Sequence, residues 1–389
     1  MTKKWSSRLT FFAFVVLMVG LGSNDSLRGI FSTIFQEHFS LTTTQLGLIV
    51  TASYIGNLVF LLVGGNLSTR FSKKRVLQVL ILIWMAALAL FAFTSNYTVL
   101  LIGMALALGS STLLNTTMNL ITPLLFATAP GFFVNFLFFT QEIGTSGSQY
   151  ILGSHADGFA FWQHTNLVLL ILGAVAFVLL LFCNVPEEAA APADAPAQKG
   201  GYDWRIIVPY VLVFGFYFIA EHGVMNWMVA YGVDGLGLPQ ASAAKYLSVF
   251  FGGMMIGRLC LSPLVDKLGA LKSLAAFGGV SCVLYLIGSL GGAVTMPVWA
   301  ISGLSFSILY PTLVMSIRLY FPAQQVSGAA GTILSIASLA DILFNVGFGK
   351  LVDMTGYAVS IRILPLSVLA FFIVFMLFTK FCKPTQKLK

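Results

Sequence analysis

The chain has 389 residues, of which 58% are hydrophobic and only 9% are charged, and its formal net charge at pH 7 is +8. Soluble globular domains carry about 25% charged residues, so this composition excludes an ordinary soluble enzyme, a disordered protein and a nucleic-acid-binding module. The positive charge is not the footprint of a nucleic-acid site, because most lysines and arginines stand in short clusters between apolar runs, as they do in polytopic membrane proteins.

The apolar runs are long enough to cross a bilayer, which takes about 20 predominantly apolar residues in a helix. The segment 1–8 is basic and carries no small-residue cleavage site, so we expect a cytoplasmic tail and not a signal peptide. The length of the runs and their lack of alternation exclude the strands of a membrane barrel. The predicted fold class is an all-α membrane protein with twelve transmembrane helices, over residues 9–35, 44–68, 76–95, 97–126, 132–153, 163–185, 204–232, 242–266, 271–292, 295–320, 326–350 and 357–381.

One long polar stretch, residues 186–203, separates the sixth run from the seventh. Its content of Pro, Ala and Gly is typical of a solvated linker. We therefore predict an N-terminal six-helix half over 1–185 and a C-terminal six-helix half over 204–389, joined by this linker.

The two halves also resemble each other weakly in sequence. A shift of 196 residues places Glu221 on Asp25 and Asp353 on Asp157. Duplicated halves are a common architecture of secondary transporters, whose solute site lies near the bilayer midplane where the repeats meet.

The basic residues predict the orientation in the membrane. If both termini are cytoplasmic, the inner loops and tails hold 16 of the 21 lysines and arginines. Such an excess is typical of cytoplasmic loops, so we expect both termini and the linker in the cytoplasm. The 16 are Lys3, Lys4, Arg8, Arg70, Lys73, Lys74, Arg75, Lys199, Arg205, Lys267, Lys272, Arg318, Lys380, Lys383, Lys387 and Lys389.

Four acids interrupt the predicted membrane helices: Asp25, Glu142, Glu221 and Asp341. A charged side chain at the bilayer centre costs about 2.5–3.5 kcal/mol on insertion scales, so each acid must face protein or water. Because the runs that carry them are equivalent under the repeat, we expect the four to converge on one central cavity. Each is a candidate for solute binding, and Asp25, Glu142 and Glu221 are candidates for proton coupling.

Asp25 stands beside Asn24 and three residues before Arg28, on a shared helix face. One interpretation is a carboxylate that takes up and releases a proton, with Arg28 adjusting its proton affinity. The other is a static ion pair that lets Arg28 sit in a membrane helix. We favour the first, and include Asn24 and Arg28 among the candidate solute ligands.

The seventh run carries Glu221, His222 and Trp227. Glu221 and His222 point about 100° apart, so a direct pair between them is not assured. A protonatable site and a structural hydrogen bond between helices both remain open for these two residues. Trp227 would stack on a sugar ring or sit at the membrane interface, and composition favours the interface.

Amide side chains form a second class of candidates. Asn115 and Asn119 share one face of the fourth run, Gln141 precedes Glu142, and Asn345 follows Asp341 by one turn. Amides donate and accept hydrogen bonds, as sugar hydroxyls require, but they also hold membrane helices together. Tyr310 is the remaining solute candidate, since Pro311 beside it is expected to kink its helix where a cavity is lined.

The loop after the second run contains Gly65-Asn-Leu-Ser-Thr-Arg70. It resembles the cytoplasmic loop signature Gly-x-x-x-Asp-Arg of the major facilitator superfamily, with a threonine in place of the acid. The second half keeps the acid, as Asp266 followed by Lys267. The resemblance implies a gating role for Gly65, Arg70, Asp266 and Lys267.

Within that superfamily, several short motifs look like the fucose:proton symporter family, and the resemblance covers most of the chain. They are Asn24-Asp25, Phe39-Ser-Leu-Thr42, Gln45, Gly47-Leu-Ile49, Tyr54, Gly56, Tyr246-Leu247, Ile256-Gly-Arg258 and Tyr310-Pro-Thr312. The family implies a coupling role for Asp25. It also implies an acid in the fourth helix, where this chain has Asn115, so either Glu142 or Glu221 replaces that acid or coupling rests on Asp25 alone.

The sequence therefore predicts a secondary active transporter and not an enzyme: a proton-coupled importer of a sugar or similar polar solute. The alternative is an exporter of drugs or organic anions. Expected partners are the solute, protons (with sodium as the alternative ion) and the lipid bilayer, with no cofactor, metal or nucleic acid, and the chain is expected to be monomeric. The expected location is the cytoplasmic membrane of a bacterium.

Overall fold

The computed structural model describes residues 3–126, 130–183, 185 and 202–384. Side chains are described for all of these except 3–6, 61–70, 120, 123, 130–132, 135, 262, 266, 323–325, 327 and 328. The described chain is helical, with short connections and no strand. The predicted all-α fold is confirmed.

The helices separate into two compact units. Unit 1 comprises residues 1–41 and 48–198, and unit 2 comprises residues 42–47 and 199–389. The helices of the first part of the chain are α1 (Lys3–Ile30), α2 (Ser32–Phe39), α3 (Thr43–Arg70), α4 (Lys73–Phe93), α5 (Tyr97–Leu125), α6 (Pro130–His155) and α7 (Gly158–Phe182). Helix α3 begins in unit 2 and continues in unit 1.

Unit 2 contains more short helical segments than unit 1. Its helices are α8 (Trp204–Ala230), α9 (Gln240–Leu268), α10 (Ala270–Leu290), α11 (Met296–Ile301), α12 (Gly303–Phe306), α13 (Leu309–Ser316), α14 (Ala323–Thr355), α15 (Tyr357–Ser360) and α16 (Ile363–Phe381). A π-helical turn, Tyr231–Gly235, extends α8.

Ten helical segments of the described chain are long and apolar enough to cross a membrane. Two further long helices, α3 and α6, include stretches of undescribed side chains and bring the number of membrane-length helices to the predicted twelve. The predicted linker, residues 186–203, lies outside the described residues except for its last two positions.

Three of the predicted runs are not continuous helices. The run 357–381 is divided between α15 and α16. The run 9–35 is divided at Phe31, between α1 and α2. The run 295–320 is divided into α11, α12 and α13. The break before α13 has a clear cause: Pro311 has no N–H to bond the carbonyl of Ser307, and its ring clashes with that carbonyl. The predicted kink near Tyr310 is therefore present, as a break at residues 307–308.

Serine hydroxyls weaken the same run further. The hydroxyls of Ser302, Ser305 and Ser307 each donate to the backbone carbonyl three residues earlier, over 2.6, 2.9 and 2.7 Å. Such bonds compete with the regular helical hydrogen bonds and bend helices. This part of unit 2 is consequently a stack of short helical pieces.

Unit 1 is held together by close contact between α1 and α6. A Cβ atom built on Gly22 would overlap the carbonyl oxygen of Gln141, and one built on Gly144 would overlap the carbonyl oxygen of Val19. Thr145 donates to the carbonyl of Gly22 over 3.2 Å. Small residues let membrane helices approach this closely and replace hydrophobic side-chain packing with backbone contact.

The contact predicts that alanine substitutions at two glycines of α6 change the stability of the protein by very different amounts. Gly144→Ala is expected to destabilise the protein by about 1–3 kcal/mol, because the methyl group meets rigid backbone. Gly147→Ala is the matched control, since nothing lies within 4 Å of its Cβ position. Thermal unfolding of the purified variants checks this: a drop of several degrees for Gly144→Ala and none for Gly147→Ala. Equal melting temperatures would show that α1 and α6 can move apart without loss of stability.

In unit 2, the first residues of α3 rest on the end of α14. The carboxylate of Asp353 accepts from the backbone N–H groups of Thr43 and Thr44, both over 2.7 Å. A carboxylate at this position satisfies N–H groups that a helix start leaves without an intrahelical partner, and it complements the helix dipole. The position matched to Asp157 by the repeat therefore carries a helix cap.

Candidate functional site

Asp25 lies inside unit 1, on α1, within a set of polar side chains. One carboxylate oxygen accepts from the hydroxyl of Ser111 on α5 over 3.1 Å, and the other accepts from the amide of Asn24 over 3.4 Å. The guanidinium of Arg28 interacts electrostatically with the same carboxylate. Asp25 is thus a half-buried acid with two hydrogen-bond donors and one cation beside it.

Arg28 is itself buried and lies over an aromatic ring. Its guanidinium carbon is 5.3 Å from the centroid of Tyr54 on α3, a distance at which a cation is attracted to the ring face. Both Arg28 and Tyr54 are more than nine-tenths buried. The tyrosine therefore helps to hold the arginine close to Asp25, inside a membrane helix.

The predicted amides of unit 1 form a continuous chain. Asn119 donates to Asn115 over 2.6 Å, and Asn115 donates to Gln141 over 2.6 Å. The chain connects α5 to α6 and ends at the carbonyl oxygen of Asn119, which is buried without a hydrogen-bond partner among the described residues. Buried polar atoms are normally paired, so this oxygen is available to a solute hydroxyl or to water. Glu142 follows Gln141 on α6 and is half-buried.

The predicted polar residues of unit 2 form two groups. In the first, His222 on α8 contacts Asp341 on α14, with Nδ1 and Oδ2 2.6 Å apart. Asn345 donates to the other carboxylate oxygen of Asp341 over 3.3 Å, and Trp227 donates to Asn345 over 2.9 Å. The sequence candidates His222, Asp341, Asn345 and Trp227 are thus in one connected network.

The preference for Trp227 at the membrane interface is wrong. Its side chain is completely buried, and its indole nitrogen bonds to Asn345. Composition favoured an interfacial tryptophan, but Asn345 on α14 offers the indole N–H an acceptor inside the unit. The tryptophan therefore belongs to the polar network of unit 2.

Glu221 belongs to the second group, on a different face of α8 from His222, as the angle between neighbouring helix residues implies. Its carboxylate interacts electrostatically with Tyr217 and Tyr310, and the guanidinium of Arg258 interacts with the same two tyrosines. The rings of Tyr217 and Tyr310 are stacked, with centroids 6.1 Å apart and planes 26° apart. The hydroxyl of Tyr217 is buried beside the carboxylate of Glu221. An acid, a cation and two aromatic rings therefore surround one place in unit 2.

Three residues of these sites were not predicted from the sequence: Tyr217, Ser111 and Tyr54. Tyr217 carried a usable signal, since it precedes Glu221 by four residues and so shares its helix face. Ser111 and Tyr54 gave none, because they reach Asp25 and Arg28 through the packing of α5 and α3 against α1.

The predicted gating residues are mostly not described. The side chains of Arg70 and Asp266, and the surroundings of Gly65, lie outside the described side chains. Lys267 is exposed at the end of α9. The gating role of these four residues stays a prediction, as does the convergence of the four acids on one cavity.

Unit 1 also contains an apolar cavity of about 750 Å³. Its lining includes Val59, Phe60, Leu113 and Phe177, and the polar side chains that reach it are Arg75 and Gln78. None of the network residues around Asp25 or Asn115 lines it. A polar solute would find few partners there, so we do not assign solute binding to this cavity.

Known proteins resemble this chain over most of its length. The family model of the Major Facilitator Superfamily matches residues 10–340. The L-fucose-proton symporter of Escherichia coli (strain K12) is 24% identical over 333 residues, which cover 74% of this chain and 75% of the relative. The cis,cis-muconate transport protein of Acinetobacter baylyi is 24% identical over 297 residues, covering 71% and 70%.

A solved structure shows the same fold. The xylose transporter of Escherichia coli superposes with a TM-score of 0.78 and 15% identity, over 97% of this chain and 96% of that chain. At 15% identity, this structural similarity supports only a shared fold. The resemblance to sugar:proton symporters inferred from short motifs is confirmed at the level of sequence similarity.

Proposed function

Because the chain belongs to the Major Facilitator Superfamily, we propose that it imports a neutral sugar or a similar small polar solute together with protons. It is a transporter and not an enzyme. In the proposed mechanism, the two six-helix halves give the solute alternating access to the two sides of the membrane. Both termini are proposed to be cytoplasmic, on the basis of the excess of Lys and Arg in the inner loops.

The proposal of proton coupling is based on the residues that surround Asp25. A carboxylate inside a membrane helix is costly and is usually kept for function. Ser111, Asn24 and Arg28 surround it with donors that favour its charged form, while partial burial favours its neutral form. An acid under such opposed influences is suited to take up and release a proton.

The charges favour a neutral solute. In the interior of the apolar runs, unit 1 carries Asp25 and Glu142 with Arg28, and unit 2 carries Glu221 and Asp341 with Arg258. Among these residues, the acids outnumber the arginines by two to one in each unit. A carboxylate brought near an excess of acids is repelled, so negative charge in the solute is selected against.

The hydrogen-bonding groups favour a polyhydroxylated solute. Unit 1 offers the chain of Asn115, Asn119 and Gln141, and unit 2 offers the buried hydroxyl of Tyr217 beside Glu221. Amides, carboxylates and phenols together supply both donors and acceptors. The stacked rings of Tyr217 and Tyr310 add an apolar surface of the kind that sugar rings contact.

A second candidate is the transport of an organic anion. It is supported by the similarity to the muconate transport protein and by the two buried or half-buried guanidinium groups of Arg28 and Arg258. In this version Arg28 would pair with the solute carboxylate, and protonation of Asp25 would remove the competing negative charge.

A thermal-shift screen of the purified protein distinguishes the candidates. The probes are L-fucose, D-xylose, D-galactose, cis,cis-muconate and D-glucuronate. A ligand at 100 times its dissociation constant stabilises the folded state by about 2.7 kcal/mol, so a true solute should raise the melting temperature by several degrees. We expect a neutral sugar to do so. Stabilisation by muconate or glucuronate alone would replace the sugar by an organic anion, and uptake that follows a sodium gradient instead of a pH gradient would contradict proton coupling.

A further inference from the structure

The network of His222, Asp341, Asn345 and Trp227 has a defined direction. The indole N–H of Trp227 is only a donor, so the atom of Asn345 that it contacts at 2.9 Å is the amide oxygen. The amide nitrogen of Asn345 therefore points at Asp341, where it donates to the backbone carbonyl over 2.9 Å and to Oδ1 over 3.3 Å. Trp227 thus keeps Oδ1 of Asp341 in the role of an acceptor.

The other oxygen of Asp341 faces His222. The distance of 2.6 Å between Oδ2 and Nδ1 is short for a nitrogen–oxygen pair and typical of a charge-assisted hydrogen bond. The side chain of Asp341 is 2% exposed and that of His222 is 25% exposed. The imidazole is therefore the part of the pair that solvent protons reach.

We propose that His222 and Asp341 form a second proton-binding site of the transporter, in unit 2. This inference rests on the proposed function and deepens it. With Nδ1–H bonded to the carboxylate, a neutral imidazole and Asp341 together carry one negative charge. A proton from water bonds to Nε2, and the pair becomes a neutral imidazolium–carboxylate pair. Release of that proton on the other side of the membrane restores the starting state.

The elements packed against α8 carry further charged residues. These elements are α14, α16, α9 and the turn Tyr231–Gly235. Besides Asp341, α14 carries Lys350 and Asp353. Helix α9 carries Lys245, Arg258, Asp266 and Lys267, of which Arg258 interacts with the tyrosines beside Glu221. The turn contributes Asp234, 12 residues along from His222 and so about 18 Å away. The charged residue of α16 is Lys380, at the far end of that helix.

Glu221, the neighbouring acid on α8, lies beside Tyr217 and Tyr310 on another face of that helix. In the described network, the two carboxylate oxygens of Asp341 contact His222 and Asn345. The pair is therefore distinct from the group around Glu221. It supplies the second titrating group that is missing from α5, where Asn115 takes the place of an acid.

Trp227 gives a readout that needs no solute. Because Asn345 connects it to Asp341, protonation of the pair should change the hydrogen bond of the indole and its fluorescence. We expect the parent protein in detergent to show a fluorescence transition with pH that His222→Gln and Trp227→Phe each remove. Gln keeps a donor for Asp341 but cannot take up a proton. His164→Gln is the matched control, since His164 is exposed in unit 1, and it should leave the transition unchanged.

Accumulation in proteoliposomes then tests the role in transport. At a gradient of one pH unit each coupled proton supplies about 1.4 kcal/mol, or about tenfold accumulation. With L-fucose as the probe, we expect His222→Gln to lower accumulation at least tenfold and to leave exchange of L-fucose in place. A second variant, Asp341→Asn, should also lower accumulation at least tenfold and retain exchange. Agreement between the two variants excludes a folding defect that is particular to His222→Gln.

The outcomes separate this proposal from the proposed function. A parent protein whose fluorescence shows no transition dependent on His222 overturns the second proton site, whatever solute is carried. A transition that is present while His222→Gln accumulates L-fucose like the parent overturns its role in coupling. A parent that binds no sugar but shows the transition removes the sugar from the proposed function and leaves the proton site supported.

Discussion

Replacing Asp25 with asparagine is expected to abolish the accumulation of solute against its gradient and to leave the exchange of solute across the membrane. Asparagine has nearly the shape of aspartate and still accepts the hydrogen bond of Ser111, which spans 3.1 Å in the parent. It cannot take up or release a proton. The variant should therefore bind and exchange solute, because exchange returns the carrier with solute bound and moves no net proton.

The measurement is uptake into proteoliposomes under an inside-alkaline gradient of one pH unit, which supports about tenfold accumulation per coupled proton. If the empty carrier returns only after Asp25 has released its proton, Asp25→Asn should reach equality of the inner and outer concentrations and no more, whether or not the His222–Asp341 pair still binds a proton. Asp157→Asn is the matched control, because Asp157 is exposed, makes no side-chain cap bond at the start of α7 and occupies the connection after α6. Accumulation by Asp25→Asn equal to that of the parent would transfer the coupling role to Glu221, Glu142 or the His222–Asp341 pair.

The number and position of the membrane helices were predictable from the sequence, because a bilayer demands long apolar runs with few charges. The prediction failed where local chemistry competes with a continuous helix. Pro311 and the serines of the run 295–320 were visible in the sequence, but the outcome of the competition depends on packing. Gly303, for example, lies so close to the backbone of Phe250 that no side chain fits there.

The length of α14 shows a second limit. Hydropathy predicted a helix over 326–350, and the structure extends it to Thr355. The extension carries Asp353, whose carboxylate accepts from the backbone N–H groups of Thr43 and Thr44. Hydropathy measures the preference of a segment for lipid, and this segment is stabilised by protein contacts that are far away in the sequence.

The candidate site was predictable in its members and not in its pairings. The four acids and the amides stand out because polar residues are rare in membrane helices. The pairings could not be predicted from the sequence, because the partners are far apart along the chain. His222 and Asp341 are 119 positions apart, and Ser111 is 86 positions from Asp25. Trp227 illustrates the same limit, because its acceptor, Asn345, is 118 positions away.

Asn115→Ala is expected to weaken solute binding by about 5- to 150-fold. Asn115 is the central member of the amide chain, since it accepts from Asn119 and donates to Gln141, each over 2.6 Å. Its removal leaves both neighbours without a partner and frees them to turn away from the solute. An unpaired hydrogen-bonding group costs about 1–3 kcal/mol, which corresponds to the expected loss of affinity.

The variant must be compared with a neutral change in the same helix. Thr116→Ala serves, because Thr116 is exposed and its hydroxyl bonds only to the backbone of Thr112 in the described structure. Binding of the solute identified by the thermal-shift screen is measured by calorimetry on both variants, together with their melting temperatures. We expect Thr116→Ala to match the parent in both measurements.

Asn115→Glu separates a binding role from a packing role. A carboxylate at this position accepts hydrogen bonds from the amides of Gln141 and Asn119 once Gln141 turns its nitrogen toward it, so α5 and α6 remain connected. It also restores an acid at the place where the fucose:proton symporter family carries one. If α5 contributes to the solute site, Asn115→Glu should make solute affinity depend on pH, whereas Asn115→Ala weakens it at every pH. The contrary outcome is that both variants fold normally and bind solute like the parent at all pH values. The amide chain would then only hold α5 to α6, and the evidence would favour an organic anion over a sugar as the solute.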